Sequence, residues 1–185
     1  LYELPGFESA KYVCAPPLRK KEDQDCLWKG LADGTIQTVS TDHCSFTTEQ
    51  KKLGEGDFTK IPGGMPGAET RGTLIYTYGV DKGRITKEDM CRVLSENPAK
   101  LYGLYPRKGV IAPGSDADLV IMRTGVEDVI TAKDQVQNVD YAPFEGTKVT
   151  GRVESVFLRG LQAVKDGKVV EEKKGEFLKR GKYAL

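Results

Sequence analysis

Histidine is the residue type that this sequence most clearly lacks, because His43 is the only one in 185 residues. A catalytic zinc site generally takes two or three histidines from its protein. These residues therefore cannot build such a site alone unless cysteines replace the missing imidazoles. Without such a replacement, a catalytic zinc site would need ligands from outside this sequence.

Cysteine is also scarce, with four residues at widely and irregularly spaced positions: Cys14, Cys26, Cys44 and Cys91. None of them forms a C-x-x-C pair. Their even number allows two disulfides, but the spacing resembles no known disulfide framework. We interpret them as buried free thiols in a reducing compartment and expect a cytoplasmic protein.

Long apolar runs and an excess of one charge are absent as well. No stretch approaches the roughly 18 apolar residues that a membrane helix needs, and residues 1–6 lack the pattern of a signal peptide. Lys plus Arg number 28 and Asp plus Glu 27, so no basic excess indicates nucleic-acid binding. Hydrophobic residues make up 38%, which is enough for a folded core.

The first third of the sequence alternates strand-like and helix-like segments. Residues 10–17 are predicted to form a short strand that two prolines end, and residues 22–32 a helix that ends at Asp33-Gly34. Residues 35–40 alternate polar and apolar side chains, which predicts a second strand. Strand, helix and strand in this order are typical of a βαβ unit in a parallel sheet.

A polar cluster, residues 41–44, directly follows the second predicted strand. Barrel enzymes keep their catalytic groups at the carboxyl ends of such strands. Residues 53–67 then form a long glycine-rich loop, and Phe58 and Ile61 in it are predicted to be buried. Long loops are generally functional or disordered, and buried apolar residues favour an ordered, functional loop.

Helices are predicted on both sides of residue 86. Residues 69–80 have helical length, and Thr86 with Asp89 three positions later is typical of a capping box. Asn97-Pro98 predicts a break in the second helix, followed by a short helix from residue 99.

The character of the sequence changes after Pro106, from mixed α/β to short strands. Strands are predicted at residues 119–122, 126–131, 148–151, 153–159 and 162–170, and Asp166-Gly167 is a strong hairpin signal. We predict barrel-like α/β structure at residues 1–107, a small β unit at residues 108–170 and a charged peripheral tail at residues 171–185.

Several stretches resemble the family of dihydropyrimidinases and D-hydantoinases. The stretch Asp-Phe-Thr-Lys-Ile-Pro at residues 57–62 is the most selective, whereas Gly-Ser-Asp-Ala-Asp at residues 114–118 occurs in many amidohydrolases. The resemblance covers nearly the whole chain, through residues 12–19, 40–46, 57–62, 66–69, 104–109, 114–121 and 138–146.

The resemblance implies a fold class of α/β plus β: residues 1–107 as the carboxyl-terminal part of a TIM-type (β/α)8 barrel, and residues 108–170 as part of a β-sandwich. It implies two divalent metal ions, usually zinc, bridged by a carboxylated lysine and completed by four histidines and one aspartate. Asp42 stands at the position of that aspartate. The remaining ligands are expected upstream of Leu1, and the full-length enzyme is expected to be a homotetramer.

The same resemblance implies roles for three residues. Asp42 would bind one metal and act as the general base, although an aspartate at a strand end can also cap the following turn. Ala15 and Gly63 match positions whose main-chain groups hold the cyclic amide. The family commonly has serine and asparagine there, so we expect an altered substrate preference.

Other polar residues near these positions have structural interpretations. His43 follows Asp42 directly, and adjacent residues on a strand point to opposite faces, so we do not expect it to bind the same metal. Cys44 is interpreted as a small buried thiol. Asp116 and Asp118 are interpreted as a turn carboxylate and a solvent-facing one.

Two functions from different classes remain open from the sequence. The first is hydrolysis of cyclic amides, namely dihydropyrimidines and hydantoins, by a metal-activated water in the full-length enzyme. The second is a non-catalytic relative of these enzymes that acts as a scaffold or assembly protein. Allantoinase or dihydroorotase activity is a third interpretation, against which residues 57–62 argue.

The shortage of histidine leads to a prediction for these 185 residues on their own. We expect the isolated chain to hold no tightly bound metal pair and to be inactive, because it contains one family ligand, Asp42. Metal analysis of the dialysed polypeptide checks this, and two zinc ions per chain would refute it.

Overall fold

A computed structural model describes residues 1–170 and 175–185 as two compact units. Unit 1 comprises Leu1–Asp25, Ser40–Arg71 and Val129–Lys148. Unit 2 comprises Cys26–Val39, Gly72–Asp128 and Val149–Leu185. The predicted division of the chain at residues 107 and 108 stays a prediction.

The helices are short and of three kinds. The α-helices are α1 Lys21–Ala32, α2 Thr48–Lys51, α3 Arg71–Ile75, α4 Lys87–Cys91 and α5 Asn97–Leu101. Single π-helical turns follow α3 at Tyr76–Val80 and α4 at Arg92–Glu96. Short 3₁₀ helices lie at Glu8–Tyr12, Lys52–Gly54, Phe58–Lys60 and Ala132–Asp134.

The hydrophobic core of unit 2 lies between α1, the π turn after α3 and the α4–α5 helix. Its buried residues are Leu31, Ile85 and Val93. Partly buried apolar side chains surround them: Trp28, Ile36, Val39, Ile75, Val80, Met90 and Leu94. The helix predicted at residues 22–32 is confirmed as α1, and its Leu31 and Trp28 contribute to this core. Leu27, which was predicted on the same apolar face as Leu31, is 56% exposed, so that face is wrong in part. Gly34 follows the helix with a φ of +80°.

Neither of the two strands predicted before residue 41 belongs to a ladder within the described residues. Residues 8–12 form a 3₁₀ helix, so the start of the first predicted strand is wrong. Residues 35 and 36 lie in a bend, and residues 37–40 have no regular secondary structure. Val39 donates its N–H to the carbonyl of Val93 at 3.1 Å. Because a strand forms only beside a pairing partner, the strand at residues 35–40 stays a prediction.

The helix that starts at Thr86 is confirmed, but the break predicted at Asn97-Pro98 is wrong. Thr86 and Asp89 form the predicted capping box, each side chain accepting from the other's backbone N–H at 3.0 Å. Helical structure then runs from Lys87 to Leu101. The π turn before Pro98 lets the helix continue because it changes the hydrogen-bond spacing where proline offers no N–H.

A four-stranded sheet in the order β1-β2-β3-β4 contains the later strands. They are β1 Leu119–Val129, β2 Lys148–Leu158, β3 Leu161–Lys165 and β4 Lys168–Val169. Strand pairs predicted as separate are continuous in β1 and β2. The predicted hairpin at Asp166-Gly167 is confirmed, and Arg159-Gly160 makes a second one, each pair with positive φ at both residues as a type I′ turn requires.

Unit 1 is held together by polar contacts to backbone groups. The Glu69 carboxylate accepts from the Val136 N–H at 3.1 Å, and Asp140 accepts from the Thr48 N–H at 2.9 Å. Burial raises the pKa of Tyr141 to about 12, and its hydroxyl donates to the Lys11 carbonyl at 3.2 Å. These contacts connect segments of unit 1 that are far apart in the sequence.

The predicted tail lies partly outside the described residues, since residues 171–174 are not among them. Its last residues dock in unit 2: Gly181 donates to the Gly103 carbonyl at 2.7 Å, and Ala184 to that of Lys100 at 3.0 Å. None of the helices within the described ranges has the length and apolar character needed to cross a membrane.

The capping box predicts a measurable dependence of stability on pH. The Arg92 guanidinium, at 2.8 Å, and Thr86 together lower the pKa of Asp89 to about 2. A depressed carboxyl pKa stabilises the fold above the unfolded value of about 4, and this contribution disappears as the pH falls through 2.

We therefore expect Asp89→Asn to lower the free energy of unfolding by about 1–2 kcal/mol at pH 7. Denaturant unfolding of the wild type and the variant between pH 7 and pH 2 checks this. The difference between them should shrink as the pH approaches 2. A difference that is independent of pH would contradict the assignment.

Candidate functional site

Asp42 lies in unit 1 in a backbone conformation that few residues adopt. Its φ is +46°, in the left-handed region, where aspartate is among the better tolerated side chains. The residue is exposed, and its carboxylate has no hydrogen-bond or ion-pair partner within the described chain. A cap through Cys44 does not form, because the Cys44 N–H donates to the Met65 carbonyl at 3.2 Å.

His43 has a structural contact in unit 1. Its Nδ1 accepts from the N–H groups of Gly67 at 3.0 Å and Ala68 at 3.2 Å. That nitrogen therefore uses its lone pair within the protein and is not available to a metal ion. The ring instead fixes the start of the segment that follows the glycine-rich loop.

Lys51 is the central group of this region, and the sequence analysis missed it. Its side chain is completely buried, with 0% exposure. The ammonium donates to three carbonyls: Val13 at 2.9 Å, Pro62 at 2.7 Å and Gly64 at 2.8 Å. Burial lowers the pKa of Lys51, and the nearby Cys14 and Cys44 oppose that shift. A lysine on a short helix normally indicates a solvated residue, so the sequence held no signal for it.

Ala15 and Gly63 lie on the two segments that Lys51 joins. Val13, two residues before Ala15, accepts both from Lys51 and from the Gly64 N–H at 2.9 Å. Ala15 and Gly63 are both exposed. Within residues 1–170 and 175–185, their main-chain groups have no hydrogen-bond partner. These main-chain groups are thus free to contact a ligand.

The segment of Asp42 meets the same loop at Gly64. A Cβ atom added to Gly64 would lie 2.3 Å from the Cys44 carbonyl oxygen and 3.0 Å from the Cys44 Cβ. Only glycine permits this close approach of two backbones. The structure therefore brings together the segments of all three predicted site residues within unit 1.

The glycine-rich loop is ordered, as predicted, but the expected burial of Phe58 is wrong. Ile61 is half-buried against Gly54, where an added Cβ would lie 2.3 Å from the Ile61 Cγ1. Phe58 is 79% exposed. Asp57 caps its own turn by accepting from the Thr59 N–H at 3.2 Å, so the turn closes without burying Phe58.

The remaining polar candidates have other partners. Asp116 pairs with Arg107 and Lys108, each at 2.9 Å, and Asp118 pairs with Lys108 and accepts from the Arg159 N–H at 2.8 Å. Both aspartates therefore have the structural role that was predicted. Asp118 was predicted to face solvent, but its carboxylate contacts Lys108 and Arg159. The four cysteines are free thiols, but the burial predicted for them is wrong, since Cys14 is half-buried and Cys26, Cys44 and Cys91 are exposed.

The donor set tests whether a metal ion fits these residues. Asp42 offers an unpartnered carboxylate, which suits a divalent cation, whereas the Nδ1 of His43 is occupied. Among the described residues, no three His, Cys, Asp or Glu side chains are grouped so that they could hold a metal ion. Asp42 therefore fits the role of one ligand in a larger set, and a complete site requires donors from elsewhere.

Comparisons with known proteins identify the family of this chain. The model of the amidohydrolase family matches residues 9–170. D-hydantoinase of Geobacillus stearothermophilus is 50% identical over 183 residues, which are 98% of this chain and 39% of that protein.

Solved structures give the same result. A crystal structure of D-hydantoinase, 49% identical, matches 100% of this chain and 41% of its own with a TM-score of 0.96. Dihydropyrimidinase from Brevibacillus agri, 46% identical, matches 99% of this chain and 40% of its own, also with a TM-score of 0.96.

The chain belongs to the amidohydrolase family. Within that family, the predicted resemblance to D-hydantoinases and dihydropyrimidinases is confirmed. The chain spans about 40% of the length of the relatives that it matches.

The contact between Gly64 and Cys44 predicts a difference between two neighbouring glycines. Gly64→Ala is expected to lower the free energy of unfolding by about 1–3 kcal/mol, because the methyl group would force two backbones apart. Gly63→Ala is the matched control, since nothing lies within 4 Å of its added Cβ, and it should be close to neutral. Denaturant unfolding of both variants measures this, and equal effects would contradict the described packing.

Proposed function

We propose that this chain forms part of the active site of a hydrolase that opens cyclic amides, namely dihydropyrimidines and hydantoins, in the full-length protein. The observation that carries the proposal is the contact of the Asp42 segment with the loop that presents Gly63, which Lys51 joins to the segment of Ala15. The names of the similar proteins, D-hydantoinase and dihydropyrimidinase, support the same substrate class.

Main-chain groups suit a cyclic amide because its ring presents N–H and C=O groups in one plane. A peptide group offers one donor and one acceptor of the same kind. The free main-chain groups of Ala15 and Gly63 would pair with the ring edge and orient the bond to be broken. Because these contacts need no side chain, the replacement of serine and asparagine alters the surroundings of the ring rather than the contacts.

Asp42 is proposed to perform two tasks in the full-length protein. Its carboxylate would hold one of two divalent ions, zinc in our proposal, together with ligands from outside these residues. Such ions, when bound, lower the pKa of a bound water to about 7 and polarise the amide carbonyl. The carboxylate of Asp42 would take the proton of the attacking water and deliver it to the departing ring nitrogen.

We also propose a fold, an oligomeric state and a cellular location for the full-length protein. Residues 1–107 would contribute the last strand–helix steps of a TIM-type barrel, and residues 108–170 part of a β-sandwich. Residues 35–40 would form a strand that pairs with strands from outside these residues. We further propose a cytoplasmic homotetramer; the four free thiols fit a reducing compartment.

Asp42→Asn in the full-length protein tests the role of Asp42. We expect kcat/KM for dihydrouracil or hydantoin to fall about 10³-fold, because a general base contributes roughly 10²–10⁴-fold. Asparagine tolerates the left-handed backbone, so the fold should persist. Steady-state kinetics and circular dichroism check both expectations.

The matched control is Glu55→Gln, which neutralises another exposed carboxylate of unit 1 and should leave kcat/KM unchanged. Full activity of Asp42→Asn would refute the role of Asp42. A metal-loaded wild type that opens no cyclic amide would refute the hydrolase and favour the scaffold alternative.

A further inference from the structure

The proposed reaction assigns no role to the buried ammonium of Lys51 in unit 1. A buried lysine is rare and is generally paired with a carboxylate. Here the three N–H bonds of the ammonium meet three carbonyl oxygens at 2.7–2.9 Å, which satisfies every donor that it has. The ring of Phe46 lies 5.7 Å from the Nζ atom and covers it further.

The positions of the three acceptors are specific. Pro62 and Gly64 are the two neighbours of Gly63. Lys51 holds the Pro62 carbonyl, which shares a peptide unit with the Gly63 N–H, and the carbonyl of the residue after Gly63. The Gly64 N–H, in the peptide unit that contains the Gly63 carbonyl, donates to the Val13 carbonyl, which Lys51 also binds. Within the described residues these contacts leave the main-chain groups of Ala15 and Gly63 without a partner.

We propose that Lys51 is a positioning residue for substrate binding, which orients the main-chain groups of Ala15 and Gly63 toward the cyclic amide. This inference rests on the proposed function, because it assigns the two segments to the substrate. Lys51 does not touch the substrate and acts only through the segments that it joins.

A role in stability alone would predict something different. Losing a buried group with three partners destabilises any protein, and by itself this would lower Tm without affecting KM. If Lys51 orients the substrate-binding groups, however, its loss weakens binding even where the protein remains folded. The division of the effect between KM and kcat therefore separates the two roles.

The experiment uses the metal-loaded full-length protein and the variants Lys51→Met and Lys51→Gln. Methionine fills a similar volume without donors, and glutamine keeps an amide that donates. With dihydrouracil and hydantoin, we expect KM to rise about 10-fold or more in Lys51→Met and less in Lys51→Gln. We expect kcat to change less than about 3-fold, and the metal content to be retained.

Lys52→Met is the matched control, because Lys52 lies on the surface and, among the residues that the structure describes, pairs only with Glu49, at 3.4 Å. Its KM and Tm should equal those of the wild type. A Lys51 variant with a lower Tm but an unchanged KM would overturn the positioning role.

A double-mutant cycle keeps the proposal falsifiable if Lys51→Met does not fold. Lys51→Gln is combined with Gly63→Ala, whose methyl group meets nothing within 4 Å. If Lys51 acts through this loop, the effects on KM are coupled, whereas independent effects multiply. Independent effects would overturn the proposal. If the wild type is active and the Lys51 variants bind substrate normally, only the role of Lys51 is refuted. If the wild type is inactive on both substrates, the proposed function is refuted, and this inference with it.

Discussion

The contact between one ammonium and three carbonyls organises the site region of unit 1. The side chain of Lys51 is completely buried, and hydrogen bonds to three carbonyls replace the water molecules that would otherwise hydrate its charge. The same three bonds determine where the loop around Gly63 lies beside the segment of Val13. Because a buried donor without a partner costs about 1–3 kcal/mol, neither segment can move away without a penalty. The order of the long loop thus depends mainly on a polar contact, and little on the apolar residues that suggested it.

Glycine and the backbone complete this arrangement. Gly64 allows the loop to approach Cys44 at a distance that no side chain permits, and Asp42 takes a left-handed conformation just before it. The strain at Asp42 is of the kind that persists where surrounding contacts determine the backbone. The bond from Cys44 to Met65 and those from Gly67 and Ala68 to His43 are such contacts. His43, which was not expected to bind the metal, supports the loop.

Local patterns in the sequence predicted the structural elements that are determined by residues close together in the sequence. The helix at residues 22–32, the capping box at Thr86 and the hairpin at Asp166-Gly167 are each determined within a few residues. The start of the strand predicted at residues 10–17 is wrong, and the pattern at residues 35–40 lacks a partner within the described chain, because a strand depends on a partner that its own sequence does not encode. Lys51 could not be predicted for a similar reason, since its acceptors are backbone carbonyls of residues 11 to 38 positions away. The continuous helix through Pro98 depends on a π turn, for which the sequence has no reliable signal.

The two hairpins of the sheet determine how readily another chain can pair with the edge strand β4. Tight turns at Arg159-Gly160 and Asp166-Gly167 leave β4 only two residues long at one end of the strand order. An exposed strand edge is a template on which other chains can pair and aggregate. Here the last strand is too short to offer a long row of free peptide groups, and Lys165 and Lys168 pair across it, placing two positive charges side by side. Short length and repelling charge are both means by which natural sheets resist the addition of a further strand.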